Sequence, residues 1–166
     1  MILSSSGPRI GLLYMYDIIL AMLYKDFLKE MRECPFCDKK QREIMQNDRA
    51  FMTYSLAPYH KHHLLVIPKN HVLSFLHLKQ DEHQDILKLL KIGMEMMGAL
   101  GYTSSSILVR DGDISNKSVE HLHYHIIPNI RIGDLDHYGE SRRIMTDVEI
   151  KEILAEFKSI FRKLNS

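Results

Sequence analysis

The stretch His121-Leu122-His123-Tyr124-His125 decides the interpretation of this sequence, because three histidines alternate with two bulky side chains. Successive side chains of a β-strand point to opposite faces, so the alternation predicts a strand, placed at 120–127, with the three imidazoles on one face. Leu122 and Tyr124 are then expected to pack inward, together with Ile126. Three imidazoles in a row rarely serve a core, because each has hydrogen-bonding groups to satisfy. The row therefore predicts a functional site.

Three interpretations of the histidine row stay open on spacing alone. The first is a surface strand that is rich in histidine and has no function. The second is a metal site with three imidazole ligands. The third is nucleophilic catalysis by one of the imidazoles. The spacing does not choose between the last two.

Length and composition favour one soluble domain. The chain has 166 residues, of which 45% are hydrophobic and 26% charged, and these values suit one compact core. A formal net charge of +1 gives no overall attraction to nucleic acid or membrane, so we expect neither as a partner. The most apolar stretch, residues 10–24, is shorter than the roughly 20 residues of a membrane span and contains Asp17. No signal peptide is apparent, and we expect a cytoplasmic protein.

Hydrophobic periodicity predicts the helices and strands. Apolar side chains recur at intervals of three and four over 10–33 and 81–100, and again from the capping box Thr146-Asp-Val-Glu149 to about Lys163. Runs typical of strands cover 49–55, 63–68, 105–110 and 120–127. Helices and strands that do not alternate strictly predict an α+β fold with an antiparallel sheet.

Cys34-Pro35-Phe36-Cys37 is the second chemical motif, and it contains both cysteines of the chain. A secreted disulfide scaffold usually carries more cysteines, which favours a reducing compartment. The pair could bind a metal, undergo redox chemistry or consist of two ordinary thiols.

The residues around these motifs resemble the histidine-triad (HIT) family. One matching block runs from Ser118 through the histidine row to Pro128. The other is His63-Leu-Leu-Val-Ile-Pro-Lys69-Asn-His71, preceded by Pro58. With the Cys-x-x-Cys of the zinc-carrying branch, the resemblance covers roughly residues 34–134. It implies a HIT-like fold, in which helices flank an antiparallel sheet of about five strands. Residues 1–33 are then a tail and helical extension, and residues 34–166 are the HIT domain.

The resemblance also implies an activity. His123 would be the nucleophile of a nucleotide hydrolase or transferase, which cleaves at the α-phosphate of a dinucleoside polyphosphate or nucleoside phosphoramidate through a covalent nucleotidyl-histidine. His125 and His63 match the supporting histidines, and Ser118 matches a serine near the leaving group. The alternatives are nucleotidyl transfer to a sugar phosphate, and a nucleotide- or zinc-binding module without turnover.

Binding residues follow from the same resemblance. Around the nucleotide it places five residues: Ser55, Leu56, Arg110, Asn116 and Lys117. Ser55 stands where much of the family has an acidic residue that binds the ribose. For a structural zinc it implies four ligands: Cys34, Cys37, His71 and His121. Family members commonly form homodimers, so we expect a symmetric dimer, with the helix at 81–100 as a candidate interface.

Overall fold

A computed structural model describes residues 22–37, 43–112, 117–131 and 142–165. The described helices are α1 (Tyr24–Glu30), α2 (Gln80–Ala99) and α3 (Asp147–Leu164), and a short 3₁₀ helix covers Phe75–His77. The strands are β1 (Glu43–Gln46), β2 (Ala50–Tyr54), β3 (Leu64–Pro68), β4 (Ser105–Val109) and β5 (Tyr124–Pro128). They form one sheet in the order β1-β2-β3-β5-β4, and every neighbouring pair is antiparallel. The predicted α+β class with an antiparallel sheet is confirmed.

The main core lies between the sheet and the two long helices. Helix α2 contacts β2, β3 and β5, and α3 packs on α2. A Cβ added at Gly93 of α2 would overlap the terminal methyl carbon, Cδ1, of Ile126 in β5 and lie 3.2 Å from Cε of Met52 in β2. The missing side chain therefore makes room for the side chains of Ile126 and Met52 between α2 and the sheet. As predicted, Leu122 and Tyr124 belong to this core.

Helix α3 begins at the predicted capping box. The Thr146 side chain accepts a hydrogen bond from the Glu149 backbone N–H, and the Glu149 carboxylate accepts one from the Thr146 backbone N–H. The helix then buries Ile153, Phe157 and Ile160 against the core. None of the described helices is long and apolar enough to cross a membrane.

The predicted helix over 10–33 is too long in its described part. Of residues 22–33, only Tyr24–Glu30 are helical. Leu23 forms an antiparallel bridge with Arg143, and the Tyr24 N–H donates to the Arg142 carbonyl at 3.1 Å. Backbone held in a bridge cannot also continue a helix. Residues 10–21 lie outside the described residues, and the division of the chain at residue 33 stays a prediction.

Two strand predictions need correction. The strand placed at 120–127 begins only at Tyr124, because its pairing with β3 ends at Tyr124↔Val66 and the Leu122 N–H instead donates to the Val72 carbonyl at 2.8 Å. Strand β1 was missed. Its four residues bury only Ile44, so the sequence shows no alternation there.

Candidate active site and metal site

The antiparallel pairing of β3 with β5 brings two of the predicted histidines together. His63 directly precedes β3, and its Nε2 lies 2.8 Å from Nδ1 of His125 in β5. The Tyr59 backbone N–H donates to His63 Nδ1 at 3.2 Å. A neutral imidazole has one donor and one acceptor, so His63 Nε2–H must donate to His125 Nδ1. The remaining nitrogen of His125, Nε2, then carries a proton and can donate to a ligand.

The ring of His123 is held by the backbone of His121, two residues earlier in the chain. Its Nδ1–H donates to the carbonyl oxygen of His121 at 2.7 Å, which leaves the lone pair on Nε2. The His123 ring centroid lies 4.8 Å from that of His125 and 5.1 Å from that of Phe36. The ring is therefore fixed on one side by a hydrogen bond and flanked by two aromatic neighbours.

Burial keeps these imidazoles uncharged. It lowers the pKa of His63 to about 3, with a further contribution from the positive charge of Arg142. It also lowers the pKa of His123 to about 4, although the hydrogen bond to His121 opposes this shift. The pKa of His125 lies well below its ordinary value for the same reason. At pH 7 the imidazoles are neutral, which is the form that can act as a nucleophile.

A cleft of about 560 Å³, part of it open to solvent, lies beside His123 and His125. The sequence-predicted residues in its lining are Ser55, Leu56, Arg110, Lys117, Ser118, His123 and His125. Three of the lining side chains are cationic, namely Arg110, Lys117 and Arg142, and none of the described lining residues is acidic. A cleft with this lining suits an anionic ligand.

Two of these cations are positioned by hydrogen bonds. Lys117 is buried and its ammonium donates to the Leu73 carbonyl oxygen. Arg110 is half-buried and donates to the hydroxyl of Tyr59 at 3.2 Å. Asn116, the other residue predicted in this loop, lies outside the described residues.

Among the cleft residues that the sequence reasoning missed are Tyr24, Tyr59 and Arg142. The Arg142 guanidinium lies 4.7 Å from the ring centroid of Tyr24 and 4.1 Å from that of Tyr59. The Tyr24 hydroxyl is 2.6 Å from Oγ of Ser118, so α1 reaches the predicted leaving-group serine. The signal in the sequence was that Tyr24 and Phe27 are spaced to share one helix face. This spacing did not reveal a site, because aromatic residues of an ordinary hydrophobic core have the same spacing.

The four predicted zinc ligands meet at a second position. Potential ligand atoms of Cys34, Cys37, His71 and His121 all lie within 4.8 Å of one another. Sγ of Cys37 is 3.2 Å from Nδ1 of His71, and Sγ of Cys34 is 3.4 Å from Nδ1 of His121. Ideal tetrahedral zinc bonds would place sulfur and nitrogen ligands about 3.6 Å apart. Two sulfurs and two nitrogens at these distances fit a closed, four-coordinate metal site.

The outer contacts of His121 support this fit. Its Nε2 is 3.0 Å from the carbonyl oxygen of Pro68, so Nε2–H donates there and the lone pair of Nδ1, which faces the cysteines, could bind a metal. The alternative of one metal held by His121, His123 and His125 is not supported, because Nδ1 of His121 faces the two cysteines and the metal-site geometry among the described residues groups His121 with Cys34, Cys37 and His71. Among the described residues, no second group of His, Cys, Asp and Glu side chains meets the geometry of a metal site.

A hydrogen-bonded pair of histidines and a third imidazole lie beside a cationic cleft on a five-stranded antiparallel sheet. The HIT domain model matches residues 38–131, and the chain belongs to the HIT domain family.

Relatives and structural neighbours agree with this assignment. A HIT-like protein of Methanocaldococcus jannaschii is 29% identical over 126 residues, which are 72% of this chain and 98% of that protein. The adenosine 5'-monophosphoramidase hnt1 of Schizosaccharomyces pombe is 38% identical over 73 residues, 44% of this chain and 53% of its own length. The fold also resembles a hypothetical histidine triad nucleotide-binding protein of Sulfolobus tokodaii, with a TM-score of 0.65 and 19% identity over 80% of this chain and 94% of that one.

Proposed function

We propose that the protein cleaves a bond at the α-phosphate of a nucleotide, with His123 as the nucleophile. One observation carries the proposal: the Nδ1–H of His123 is anchored on the His121 carbonyl, which leaves Nε2 unprotonated beside a cleft lined with cations. The phosphoramidase activity named for the fission yeast relative supports the same reaction class. The proposed substrates are dinucleoside polyphosphates and nucleoside phosphoramidates.

The reaction proceeds in two displacements. In the first, the Nε2 lone pair forms a bond to the α-phosphorus, the bond to the leaving group breaks, and its electron pair departs with the leaving atom. In the second, water attacks the same phosphorus, the N–P bond breaks and its electron pair returns to Nε2. A water proton is lost to solvent from the new phosphate. Dividing one displacement into two lowers each barrier.

The neighbouring residues supply positioning and charge, which account for most of the catalysis in phosphoryl transfer. His125 Nε2–H donates to a phosphate oxygen, and His63 holds His125 in the tautomer that permits this. Ser118 acts near the leaving group. Arg110 and Lys117 face the phosphates, with Asn116 in the same loop, while Ser55 and Leu56 contact the nucleoside.

We also propose a structural zinc on Cys34, Cys37, His71 and His121. Zinc bound there would supply no Lewis acid to the reaction, since two thiolates and two imidazoles complete its coordination. Phe36 lies between the two cysteines and contacts the rings of both His121 and His123. This contact supports a position of the proposed metal beside the proposed nucleophile. The metal would fix the residues that hold His123 in place.

Trapping of the intermediate tests the nucleophile. The protein is mixed with an excess of substrate, quenched within milliseconds to seconds and digested, and a nucleotidyl adduct is located by mass spectrometry. The adduct is expected on His123, and His123→Asn should remove both adduct and turnover while it retains fold and nucleotide binding. His77→Asn is the matched control, because His77 is exposed on the 3₁₀ helix. A variant His123→Asn that works within tenfold of the unaltered protein would refute the assignment.

The acceptor decides between hydrolysis and its alternatives. Release of the nucleotide to a sugar phosphate faster than to water would indicate a transferase. Tight nucleotide binding without any adduct would indicate a binding module.

A homodimer is proposed as the assembly. Strand β4 is an edge of the sheet and exposes Ile107 and Val109, whereas α2 directs most of its apolar side chains into the core. The β4 edge is therefore the better candidate interface. Light scattering of the unaltered protein should report a dimer, and Ile107→Lys should report a monomer. A monomer for both proteins would contradict the proposal.

A further inference from the structure

The cleft has one wall that lies outside the residues matched by the family. Tyr24 and Phe27 of α1 line it from one end of the described chain, and Arg142 lines it from the segment before α3. The two segments are joined by the Leu23–Arg143 bridge. This wall is therefore a single structural unit, built from residues that lie before and after the HIT-matched region.

Arg142 is fixed at the centre of this wall. Its guanidinium is stacked between the rings of Tyr24 and Tyr59, and its Nη1 donates to the Ala57 carbonyl oxygen at 3.0 Å. Cation–π contacts on two sides restrict the rotation of the side chain. A guanidinium has five N–H donors in a rigid plane, which suits phosphate oxygens.

The position of Arg142 relative to the histidines indicates which phosphate it meets. The Tyr59 ring stacks on His63 at 5.5 Å, and the Tyr24 hydroxyl bonds Ser118. Arg142 is thus joined through these two rings to the histidine pair and to the serine on the leaving-group side. Phe36, by contrast, touches His123 directly and packs with Leu65 in an apolar cluster. The apolar side suits a nucleoside, and the Arg142 side suits charge.

We propose that Arg142, stacked between Tyr24 and Tyr59, binds the phosphate groups of the leaving group and makes the protein select substrates whose leaving group carries phosphate. This inference rests on the proposed function. When the bond from the α-phosphorus to a bridging oxygen breaks, the electron pair stays on that oxygen, and the departing phosphate gains a negative charge. A cation at that position stabilises the departure. In a phosphoramidate the leaving amine takes up a proton and departs uncharged, so Arg142 contributes little.

A pair of substrates measures this selection within one variant. The first is a dinucleoside triphosphate, and the second is a nucleoside 5′-phosphoramidate of an uncharged aromatic amine. For Arg142→Gln we expect kcat/KM to fall about 10- to 100-fold on the triphosphate, the range for a lost hydrogen bond to a charged group. On the phosphoramidate we expect a change of less than about threefold, because the departing amine offers Arg142 no charged partner. The substrate ratio, which is kcat/KM on the triphosphate divided by kcat/KM on the phosphoramidate, does not depend on how much of the sample is folded.

Two further variants sharpen the result. Arg143→Gln is the matched control, because Arg143 carries the same charge one residue on but pairs with Glu149; its substrate ratio should equal that of the unaltered protein. Arg142→Lys keeps the charge and loses the planar fork, so its ratio should lie between those of the unaltered protein and Arg142→Gln. If Arg142→Gln does not fold, Arg142→Lys is used for the comparison of the two substrates.

The outcomes are distinguishable. Equal losses on both substrates, or no loss on the triphosphate, would overturn the role of Arg142 and leave the nucleophile intact. If the unaltered protein forms no adduct with either substrate, the proposed function fails, and this inference fails with it.

Discussion

The backbone carbonyl oxygen of His121 accepts the Nδ1–H of His123 at 2.7 Å, while the His121 ring faces the cysteines with its own Nδ1. One residue thus contacts the candidate metal site through its side chain and the candidate nucleophile through its main chain. A metal bound there would therefore help to fix the position of His123.

Removal of the metal site should affect stability more than chemistry. In Cys34→Ser/Cys37→Ser we expect the loss of one zinc per chain and a lower Tm, because binding of a structural metal is coupled to folding. Part of the activity should survive at low temperature, since His123 needs no Lewis acid. The measurements are metal content, Tm and rate on the same sample. A well-folded, metal-free variant without activity at any temperature would contradict a structural role.

His63 should act by orienting His125. His63→Phe retains a ring of similar shape but removes both the Tyr59 N–H contact and the hydrogen bond to His125 Nδ1. We expect kcat to fall about 100-fold, the lower end of the range for a positioned proton-transfer group, and stability to fall by about 1–3 kcal/mol from the buried polar group left unpaired. Stopped-flow kinetics and urea unfolding measure the two effects. His77→Phe, at an exposed position, is the control, and an unchanged kcat would remove His63 from the site.

Replacement of Ser55 by a residue with a carboxylate should strengthen nucleotide binding. Ser55 lines the cleft at the position where the family resemblance places the ribose contact. Ser55→Asp should tighten binding of a ribonucleoside monophosphate about tenfold, because a carboxylate makes stronger hydrogen bonds to hydroxyl groups. Ser55→Asn adds a similar shape without the charge and should gain less. Calorimetry with the ribonucleotide and its 2′,3′-dideoxy analogue measures both. The same affinity for the two ligands in all variants would place the sugar elsewhere.

The start of α3 should lose stability in acid. The hydrogen bond and ion pair with Arg143 lower the pKa of Glu149 to about 2, from an ordinary value of 4.5. A carboxyl group with a depressed pKa stabilises the fold above pH 4.5, and this contribution is lost as the pH falls towards 2. Glu149→Gln keeps the capping box without the charge, so its Tm should lie below that of the unaltered protein at pH 7 and match it near pH 2. A constant difference across this range would show that the ion pair contributes nothing.

Long periodic elements could be predicted from the sequence. The helix at 81–100 and the capping box at Thr146 were located to within about one residue, because burial of one helix face imposes a regular spacing on the sequence. The inward packing of Leu122 and Ile126 followed from alternation in the same way. Strand β1 has four residues and one buried side chain, so burial imposes no pattern there.

The candidate site was predictable only in part, because its residues reach it in different ways. The histidines and cysteines belong to motifs with fixed spacing, and the structure brings them into two neighbouring clusters. Arg142 and Tyr24 belong to no motif; they meet through the Leu23–Arg143 bridge, a pairing between positions 120 residues apart. Local sequence patterns contain no information on such a contact.

The Leu23–Arg143 bridge also bears on how substrate preference can change. A recombinant fragment trimmed to residues 38–131 would retain His63, His123 and His125 but would lose the wall that holds Arg142. If Arg142 selects the leaving group as proposed, substitutions or insertions near residues 22–30 or 142–146 would change that preference without any alteration of the histidines. The histidines and the arginine proposed to select the leaving group thus lie in separate stretches of the gene, which can diversify independently.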